Sequence, residues 1–310
     1  MMKQQWAAKL STIVNPENVK IDEPLDQYTM TKLGGSADVF VMPSTEEEAV
    51  AIVKYANNND IPILLLGNGS NMVVRDGGVR GIVLNFSKLD TIHIDGTTVY
   101  AQAGALLKDV SIAAAEATLT GLEFSCGIPG SIGGAMAMNA GAYGGEINDV
   151  ILQSTVLTST GEKLVLNKEQ LDLSYRKSII SKKGYYVLSS EFELQRGDQQ
   201  EIDAKIAELT FLRESKQPLE YPSAGSVFKR PPGYFAGKLI QDSELQGKGV
   251  GGAEVSTKHA GFIVNKGGAT ATDYINTIKM VQATVKEKFD VDLELEVKIV
   301  GEEPSKNGSL

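Results

Sequence analysis

Apolar and polar residues recur along this chain with two spacings, one typical of helices and one typical of strands. Ser44 and Thr45, followed by three glutamates, are typical of a helix N-terminus, and apolar residues continue at helical spacing to Ala56. The short apolar runs at 61–66 and 81–86 predict buried strands. The first third of the chain is therefore predicted to mix helices with strands.

The same spacings predict hairpins and longer helices further along the chain. Asp95-Gly96 separates two alternating segments, 91–94 and 97–101, which is a strong hairpin signal. Beyond it the pattern predicts a helix at 106–118, strands at 150–158, 162–166 and 185–194, and a helix at 199–215. This order of elements indicates an α+β fold.

The two prolines between Lys216 and Pro222 predict a hinge before a last segment with a small fold of its own. The pattern there predicts helices at 234–241 and 272–288 and strands at 262–264 and 291–300. In the final predicted strand every second residue is apolar, so Glu294, Glu296 and Lys298 are predicted to share the other face. By pattern alone, that polar face is typical of a solvated surface.

Two glycine-rich turns carry the strongest chemical signal. They are Gly67-Asn68-Gly69-Ser70-Asn71 and Gly127-Ile128-Pro129-Gly130-Ser131-Ile132-Gly133-Gly134. Glycine lets the backbone approach a ligand closely and adopt positive φ, so that successive N–H groups can converge on phosphate oxygens. We therefore predict that the two turns bind the diphosphate of a nucleotide cofactor.

The common nucleotide-binding fingerprints do not fit these turns. Met72 stands where the dinucleotide fingerprint needs its third glycine, and a strand rather than a helix is predicted to follow. The segment 233–239 is one residue short of a P-loop and lacks the Ser or Thr that binds magnesium. These departures favour a cofactor that is held by two separate loops within an α+β unit.

Composition excludes several other classes of function. The 310 residues are 42% hydrophobic and carry a net charge of -9, which predicts a well-buried core and argues against a nucleic-acid-binding surface. With no signal-peptide pattern and no apolar run of about 18 residues, we expect a cytoplasmic protein without a membrane span. Cys126 is the only cysteine, and His93 and His259 are the only histidines. We expect structural or surface roles for all three and no metal site.

At the glycine turns the chain resembles the flavoprotein family that includes vanillyl-alcohol oxidase and para-cresol methylhydroxylase. Over residues 31–301 it resembles more closely the UDP-N-acetylenolpyruvoylglucosamine reductase family. Five ordered motifs carry that resemblance: Leu66-Gly67-Asn68-Gly69-Ser70-Asn71, the second glycine turn with Asn139-Ala140-Gly141-Ala142-Tyr143-Gly144, Tyr175-Arg176, Ser223-Ala224-Gly225-Ser226-Val227-Phe228-Lys229, and Leu295-Glu296-Val297. One glycine turn alone would be a weak signal, whereas five motifs in order are specific.

The resemblance implies an FAD-binding fold of two α+β subdomains, with a smaller α+β substrate-binding domain after it. We expect the subdomains at 1–80 and 81–215, the substrate-binding domain at 216–301 and a flexible tail at 302–310. The FAD-binding residues that the resemblance implies are Gly67, Asn68, Gly69, Ser70, Asn71, Gly127, Ile128, Pro129, Gly130, Ser131, Gly133, Gly134, Asn139 and Gly141. Gly34 and Gly35 resemble the family's opening turn and are further candidates for a close approach to FAD.

The implied reaction has two stages. NADPH reduces FAD and leaves, and UDP-N-acetylglucosamine enolpyruvate then accepts the hydride and becomes UDP-N-acetylmuramate, a precursor of bacterial peptidoglycan. Hydride addition to the terminal vinyl carbon moves negative charge onto the substrate carboxylate as an enediolate, and the α-carbon must then be protonated.

The family motifs assign catalytic roles to three residues. Arg176 is implied to stabilise the enediolate because a guanidinium stays charged and grips a carboxylate through two hydrogen bonds. Ser226 is implied to protonate the α-carbon. Glu296 is implied to act beside them. Because a carboxylate there would face the substrate carboxylate, we expect Glu296 to be protonated or to share a hydrogen bond.

The resemblance also implies substrate contacts by Tyr175, Arg213, Lys216 and Lys229. The chain resembles the shorter type of the family, since only a short polar stretch separates Arg176 from the strand that begins near Tyr185. We expect a monomer. Two alternatives stay open: an FAD oxidase of the same fold that acts on another substrate with oxygen, and a nucleotide-binding protein without catalytic activity.

Overall fold

The computed structural model describes residues 2–304. Residues 305–310 of the predicted tail lie outside these described residues. In the described part of the chain the α-helices are α1 (Met2–Leu10), α2 (Glu46–Asn58), α3 (Leu107–Glu116), α4 (Ile132–Met138), α5 (Ile147–Val150), α6 (Lys168–Leu171), α7 (Ile179–Lys183), α8 (Gln199–Lys216), α9 (Ala236–Asp242) and α10 (Ala271–Phe289). None of these helices is long and apolar enough to cross a membrane.

Strands occur along the whole described chain, and the predicted α+β class is confirmed. The strands are β1 (Val19–Pro24), β2 (Ser36–Val41), β3 (Ile63–Leu65), β4 (Met72–Val74), β5 (Val79–Leu84), β6 (Ile92–Asp95), β7 (Thr98–Gln102), β8 (Leu119–Thr120), β9 (Gly141–Ala142), β10 (Gly145–Glu146), β11 (Ile151–Leu157), β12 (Lys163–Asn167), β13 (Tyr186–Glu193), β14 (Gln195–Arg196), β15 (Ser223–Ser226), β16 (Gly249–Val250), β17 (Ala253–Val255), β18 (Phe262–Asn265) and β19 (Lys298–Val300).

Local sequence signals account for several of these elements. The side chain of Thr45 accepts a hydrogen bond from the N–H of Glu48 at 3.1 Å, and the Ser44 N–H donates to the Glu48 carboxylate at 2.6 Å. These contacts satisfy donors that the first turn of α2 would leave unpaired. The Asp95-Gly96 hairpin also forms as predicted: Asp95 pairs with Thr98 across antiparallel β6 and β7, and Gly96 has a φ of +61°.

The chain divides into two compact units. Unit 1 comprises Met1–Ile21, Val39–Asn68 and Gly81–Arg213. It contains an antiparallel sheet with the strand order β12-β11-β13-β7-β6, and β3 pairs in parallel with β5. Helix α4, which follows the second glycine turn, lies against β13 of this sheet. Fully buried side chains of the unit 1 core include Leu10, Ile52, Leu107, Leu188 and Phe192.

Unit 2 comprises Asp22–Asp38, Gly69–Arg80 and Glu214–Leu310. Its antiparallel sheet has the order β15-β18-β17-β16, and α10 packs on it. Tyr274 of α10 is fully buried and donates its hydroxyl hydrogen bond to the carbonyl of Ile263 at 2.9 Å. Burial raises the pKa of the Tyr274 phenol. At the start of the helix, the Asp76 carboxylate accepts hydrogen bonds from the N–H groups of Ala271 and Thr272, each at 2.8 Å.

The prediction of one continuous strand at 291–300 is wrong. Only Lys298–Val300 forms a strand, and it pairs in parallel with Met72–Val74. Before it, the N–H groups of Glu296 and Val297 both donate to the carbonyl of Val227, at 2.8 Å and 3.3 Å. Two consecutive donors on one acceptor are incompatible with a regular ladder, so the segment is irregular there.

The start of the predicted tail makes contacts within unit 2. The Glu302 N–H donates to the carbonyl of Gly78 at 2.9 Å, and the Glu302 carbonyl accepts from Gly77 at 3.1 Å. Glu303 forms an ion pair with Arg75. The assignment of segments to FAD-binding subdomains and a substrate-binding domain stays a prediction.

Candidate functional site

The first glycine turn is shaped by close backbone packing. Gly69 has a φ of +60°, and a Cβ there would lie 2.2 Å from the carbonyl oxygen of Tyr28. Only glycine fits both requirements. At the start of the turn, the buried side chain of Asn85 donates to the carbonyls of Leu66 and Gly67, at 2.8 Å and 3.3 Å. Hydrogen bonds therefore hold the start of the turn in unit 1, and close packing restricts the backbone at Gly69 in unit 2.

The second glycine turn lies against the start of the first within unit 1. The Asn68 side-chain amide donates to the Pro129 carbonyl at 2.6 Å. A Cβ added to Gly67 would lie 2.8 Å from the Ser131 hydroxyl oxygen. The two predicted cofactor turns, which are 60 residues apart in sequence from Gly67 to Gly127, are thus brought together by a direct hydrogen bond and by close packing.

Each turn carries a buried backbone donor that the protein leaves unpaired. Gly69 and Gly130 are buried, and no group among residues 2–304 accepts a hydrogen bond from the N–H of either. An unpaired buried donor costs about 1–3 kcal/mol. Phosphate oxygens are suitable acceptors for such donors. Taken unit by unit, each of these donors therefore fits a phosphate group of FAD.

Other predicted cofactor residues have structural contacts of their own. A Cβ at Gly133 would lie 3.2 Å from the Ala103 Cβ, and one at Gly141 would lie 2.7 Å from the Gly145 carbonyl, so both glycines permit close packing inside unit 1. Asn139 is fully buried; its amide donates to the Ser174 carbonyl at 3.2 Å and its oxygen accepts from the Asn148 N–H at 2.9 Å. Gly134, by contrast, is exposed on α4.

Arg176 lies in a tight turn that these contacts fasten to α4. Ser174 and Lys177 exchange two backbone hydrogen bonds, at 3.1 Å and 3.0 Å, which leaves Tyr175 and Arg176 at the tip. Arg176 has a φ of +56°, a conformation that non-glycine residues adopt mainly where the surroundings enforce it. Its guanidinium donates to the Gly141 carbonyl at 3.4 Å and lies 5.2 Å from the centre of the half-exposed Tyr175 ring.

Ser226 and Glu296 are brought together in unit 2 through the backbone of Val227. The Glu296 N–H donates to the Val227 carbonyl at 2.8 Å, and Phe228 pairs with Leu295 in an isolated bridge. Ser226 is exposed, and its hydroxyl makes no hydrogen bond within residues 2–304. Glu296 is half-buried. A hydroxyl and a carboxyl group therefore lie on adjacent backbone segments.

The three predicted cations differ in their surroundings. Lys216 is exposed at the end of α8. Lys229 forms an ion pair with Glu294, so a substrate anion would have to compete with that carboxylate. Arg213 packs on the second glycine turn, since a Cβ at Gly127 would lie 2.6 Å from the Arg213 Cδ. Burial lowers the pKa of Arg213, and within residues 2–304 no carboxylate pairs with it.

The remaining polar candidates have local structural partners. Burial lowers the pKa of His259, whose Nδ1 accepts a hydrogen bond from the Gly261 N–H at 3.1 Å. His93 is exposed on β6. Cys126 is buried, with its sulfur 3.8 Å from the Thr210 hydroxyl oxygen.

Sequence reasoning missed Asn85 and Asp76, which hold the first glycine turn and the start of α10. Both lie in segments without a recognisable motif. Asn85 lies inside the predicted strand 81–86, where a single polar residue among apolar ones was the one available signal.

Comparison with known families and proteins agrees with these features. A family model described as FAD binding domain matches residues 37–167, and one described as UDP-N-acetylenolpyruvoylglucosamine reductase, C-terminal domain, matches residues 217–300. The first match confirms the predicted FAD cofactor.

Individual relatives match over nearly the whole chain. The UDP-N-acetylenolpyruvoylglucosamine reductase of Geobacillus thermodenitrificans is 60% identical over 295 residues, which are 95% of this chain and 97% of that protein. The reductase of Listeria monocytogenes serotype 4a is 60% identical over 92% of this chain and 96% of its own length.

Solved structures give the same result for the fold. The crystal structure of UDP-N-acetylenolpyruvylglucosamine reductase (MurB) from Thermus caldophilus matches with a TM-score of 0.79 and 35% identity, covering 91% of this chain and 98% of that one. The chain therefore belongs to the UDP-N-acetylenolpyruvoylglucosamine reductase family.

Proposed function

We propose that this chain is an FAD-dependent reductase that uses NADPH to convert UDP-N-acetylglucosamine enolpyruvate into UDP-N-acetylmuramate in the bacterial cytoplasm. The main support for the proposal is that the backbone of Glu296 pairs with Val227, the residue directly after Ser226, in a chain of this family. A hydroxyl that would act as the proton donor and a carboxyl group lie on these neighbouring segments. We further propose that the enzyme acts as a monomer.

The two glycine turns would hold the cofactor. The unpaired N–H groups of Gly69 and Gly130 would donate to phosphate oxygens, and Asn68 would keep the second turn in place through Pro129. Arg213, which packs on Gly127, would add positive charge beside that turn. When bound, FAD supplies the hydride chemistry, since it can accept a hydride from NADPH and transfer one to the substrate.

Arg176 would stabilise the charge that develops on the substrate. Hydride addition to the vinyl carbon converts the substrate carboxylate into an enediolate, and a fixed guanidinium can donate two parallel hydrogen bonds to it. The turn that holds Arg176 at a φ of +56° favours a fixed position, because few alternative backbone conformations satisfy its contacts with Asn139 and Gly141. Tyr175, at the same tip, would contact the substrate alongside it.

Ser226 would protonate the α-carbon of the enediolate. A serine hydroxyl is a weak acid, but the enediolate is a strong base, so the position of the hydroxyl matters more than its acidity. The exposed Ser226 hydroxyl has no hydrogen-bond partner within the described residues that would have to be displaced first. Glu296 would support this transfer by sharing a hydrogen bond, and Lys216 and Lys229 would bind the anionic groups of the nucleotides.

An anaerobic turnover assay in heavy water tests this proposal. The proposal predicts NADPH oxidation that depends on the enolpyruvyl acceptor, with one solvent deuterium at the α-carbon of the product. The oxidase alternative predicts no anaerobic turnover with this acceptor and rapid oxygen consumption in air.

A further inference from the structure

The peptide groups of Glu296 are held on both sides by residues of the candidate site. On one side its N–H donates to the Val227 carbonyl at 2.8 Å, directly after Ser226. On the other side its carbonyl accepts a hydrogen bond from the side-chain amide of Asn71 at 3.1 Å. Asn71 is the last residue of the first glycine turn. All of these contacts lie within unit 2.

A second contact fixes the register of the same segment. The Lys298 N–H donates to the Asn71 carbonyl at 3.1 Å, and parallel pairing of β4 with β19 begins at the next step, with Met72 opposite Lys298. Asn71 thus contacts both Glu296, which precedes β19, and Lys298, which begins β19. A half-buried side chain engaged in this way is placed to set the position of the Glu296 backbone.

Gly69, the first residue of the turn that lies in unit 2, is also constrained. The Gly69 carbonyl accepts from the Met30 N–H at 3.1 Å, and the space beside the Gly69 Cα is filled by the Tyr28 backbone. A rigid turn can transmit a defined position to the residue that ends it.

We propose that Asn71 is a positioning residue for the second half of the reaction: its side chain orients Glu296, rather than serving mainly to hold FAD. The inference rests on the proposed function, because it assigns Asn71 to the step in which the enolpyruvyl substrate is reduced and protonated. On this assignment the side-chain amide and the backbone carbonyl of Asn71 both contact the segment 296–298.

The amide donor is the group that matters in this role. An aspartate at position 71 has nearly the same shape as asparagine but presents an oxygen to the Glu296 carbonyl, so attraction becomes repulsion. Displacement of a reacting group by about 1 Å can cost about 100-fold in rate. Asn71→Asp should therefore slow the step that uses Glu296 and leave flavin reduction by NADPH nearly unchanged.

The test measures the two half-reactions separately in rapid-mixing experiments on the FAD-loaded enzyme under anaerobic conditions. For Asn71→Asp the proposal predicts flavin reduction by NADPH within about 2-fold of the wild type, and reoxidation by UDP-N-acetylglucosamine enolpyruvate slowed roughly 10- to 100-fold. Because Asn71 acts through Glu296, the double variant Asn71→Asp with Glu296→Gln should reoxidise no more slowly than Glu296→Gln alone.

Asn68→Asp is the matched control. Asn68 lies in the same turn and makes the same kind of bond, from a side-chain amide to a backbone carbonyl, but its partner is Pro129. At saturating FAD, the fold by which Asn68→Asp slows reoxidation should multiply with the fold caused by Glu296→Gln when the two changes are combined. The effect of Asn71→Asp, by contrast, should vanish when it is combined with Glu296→Gln.

Three results would overturn the role of Asn71: loss of FAD from Asn71→Asp, equal slowing of both half-reactions, or multiplicative effects in the Asn71 and Glu296 double variant. In each of these cases the wild type would still be reoxidised by the acceptor. If the wild type itself ignored the acceptor, the proposed function would fail and the Asn71 inference would fall with it.

Discussion

The side-chain amide of Asn68 donates a hydrogen bond to the carbonyl oxygen of Pro129 at 2.6 Å. This bond joins two glycine turns that are far apart in the sequence and that we predict to share one cofactor. Because it leaves backbone N–H groups of the turns unpaired, the contact organises the turns without using the donors that a diphosphate needs.

Removing the Asn68 amide should weaken cofactor binding. A hydrogen bond of this kind contributes about 0.5–1.5 kcal/mol, so Asn68→Ala should raise the dissociation constant of FAD by roughly 2- to 13-fold. Titration of the apoprotein with FAD, followed by flavin fluorescence, measures this. Asn59→Ala is the control, since Asn59 makes a similar bond to the Tyr55 carbonyl at the end of α2. Equal effects of the two changes would contradict the prediction.

Gly69→Ala should destabilise the protein more than Gly96→Ala. The two glycines have nearly equal φ, +60° and +61°, so the left-handed backbone penalty of about 1–2 kcal/mol applies to both. A Cβ at Gly69 would also lie 2.2 Å from the Tyr28 carbonyl oxygen, whereas nothing lies within 4 Å of one at Gly96. Thermal unfolding of the apoproteins should show a larger fall in midpoint for Gly69→Ala. A similar fall for both would mean that the turn rearranges easily.

Ser226→Ala should separate the two half-reactions. Without its proton donor the enzyme should still accept hydride from NADPH, while reoxidation by the enolpyruvyl substrate should slow by roughly 100- to 10,000-fold. Rapid-mixing absorbance of the flavin measures both steps. Ser223→Ala, at the other end of β15, is the control and should reoxidise at nearly the wild-type rate. Normal reoxidation of Ser226→Ala would remove Ser226 from the catalytic set.

Stability should depend on pH through His259. Burial lowers its pKa from the ordinary value of 6.5, so between the two pKa values the unfolded chain binds more protons than the folded one. The free energy of unfolding should therefore fall as pH drops below about 6.5. His259→Gln should remove this part of the pH dependence of the free energy of unfolding, which denaturant titrations between pH 7 and pH 5 measure. His93→Gln, at an exposed site, should leave that pH dependence intact. An identical pH dependence of the unfolding free energy in the wild type and in His259→Gln would contradict the role of His259.

Sequence reasoning succeeded where the signal is local. Thr45 with the glutamates after it marks the start of α2, and Asp95-Gly96 marks a hairpin, because the caps and turns involved are formed by neighbouring residues. The glycine turns could be recognised for the same reason, since positive φ and close packing, as at Gly69, require glycine at the position itself.

The prediction failed where long-range pairing decides the structure. The alternation from Leu293 to Ile299 has the period of a strand, but the Val227 carbonyl accepts two consecutive N–H groups there, and only the last three residues find a regular partner in β4. The contact between Asn71 and Glu296 spans 225 positions, and no local pattern predicts it.

The most direct test of the central claim is an anaerobic absorbance experiment on the purified protein. The flavin bands should bleach on addition of NADPH and return promptly when UDP-N-acetylglucosamine enolpyruvate is added without oxygen. A reduced flavin that ignores this acceptor but is reoxidised in air would contradict the proposed substrate and favour an oxidase on the same fold.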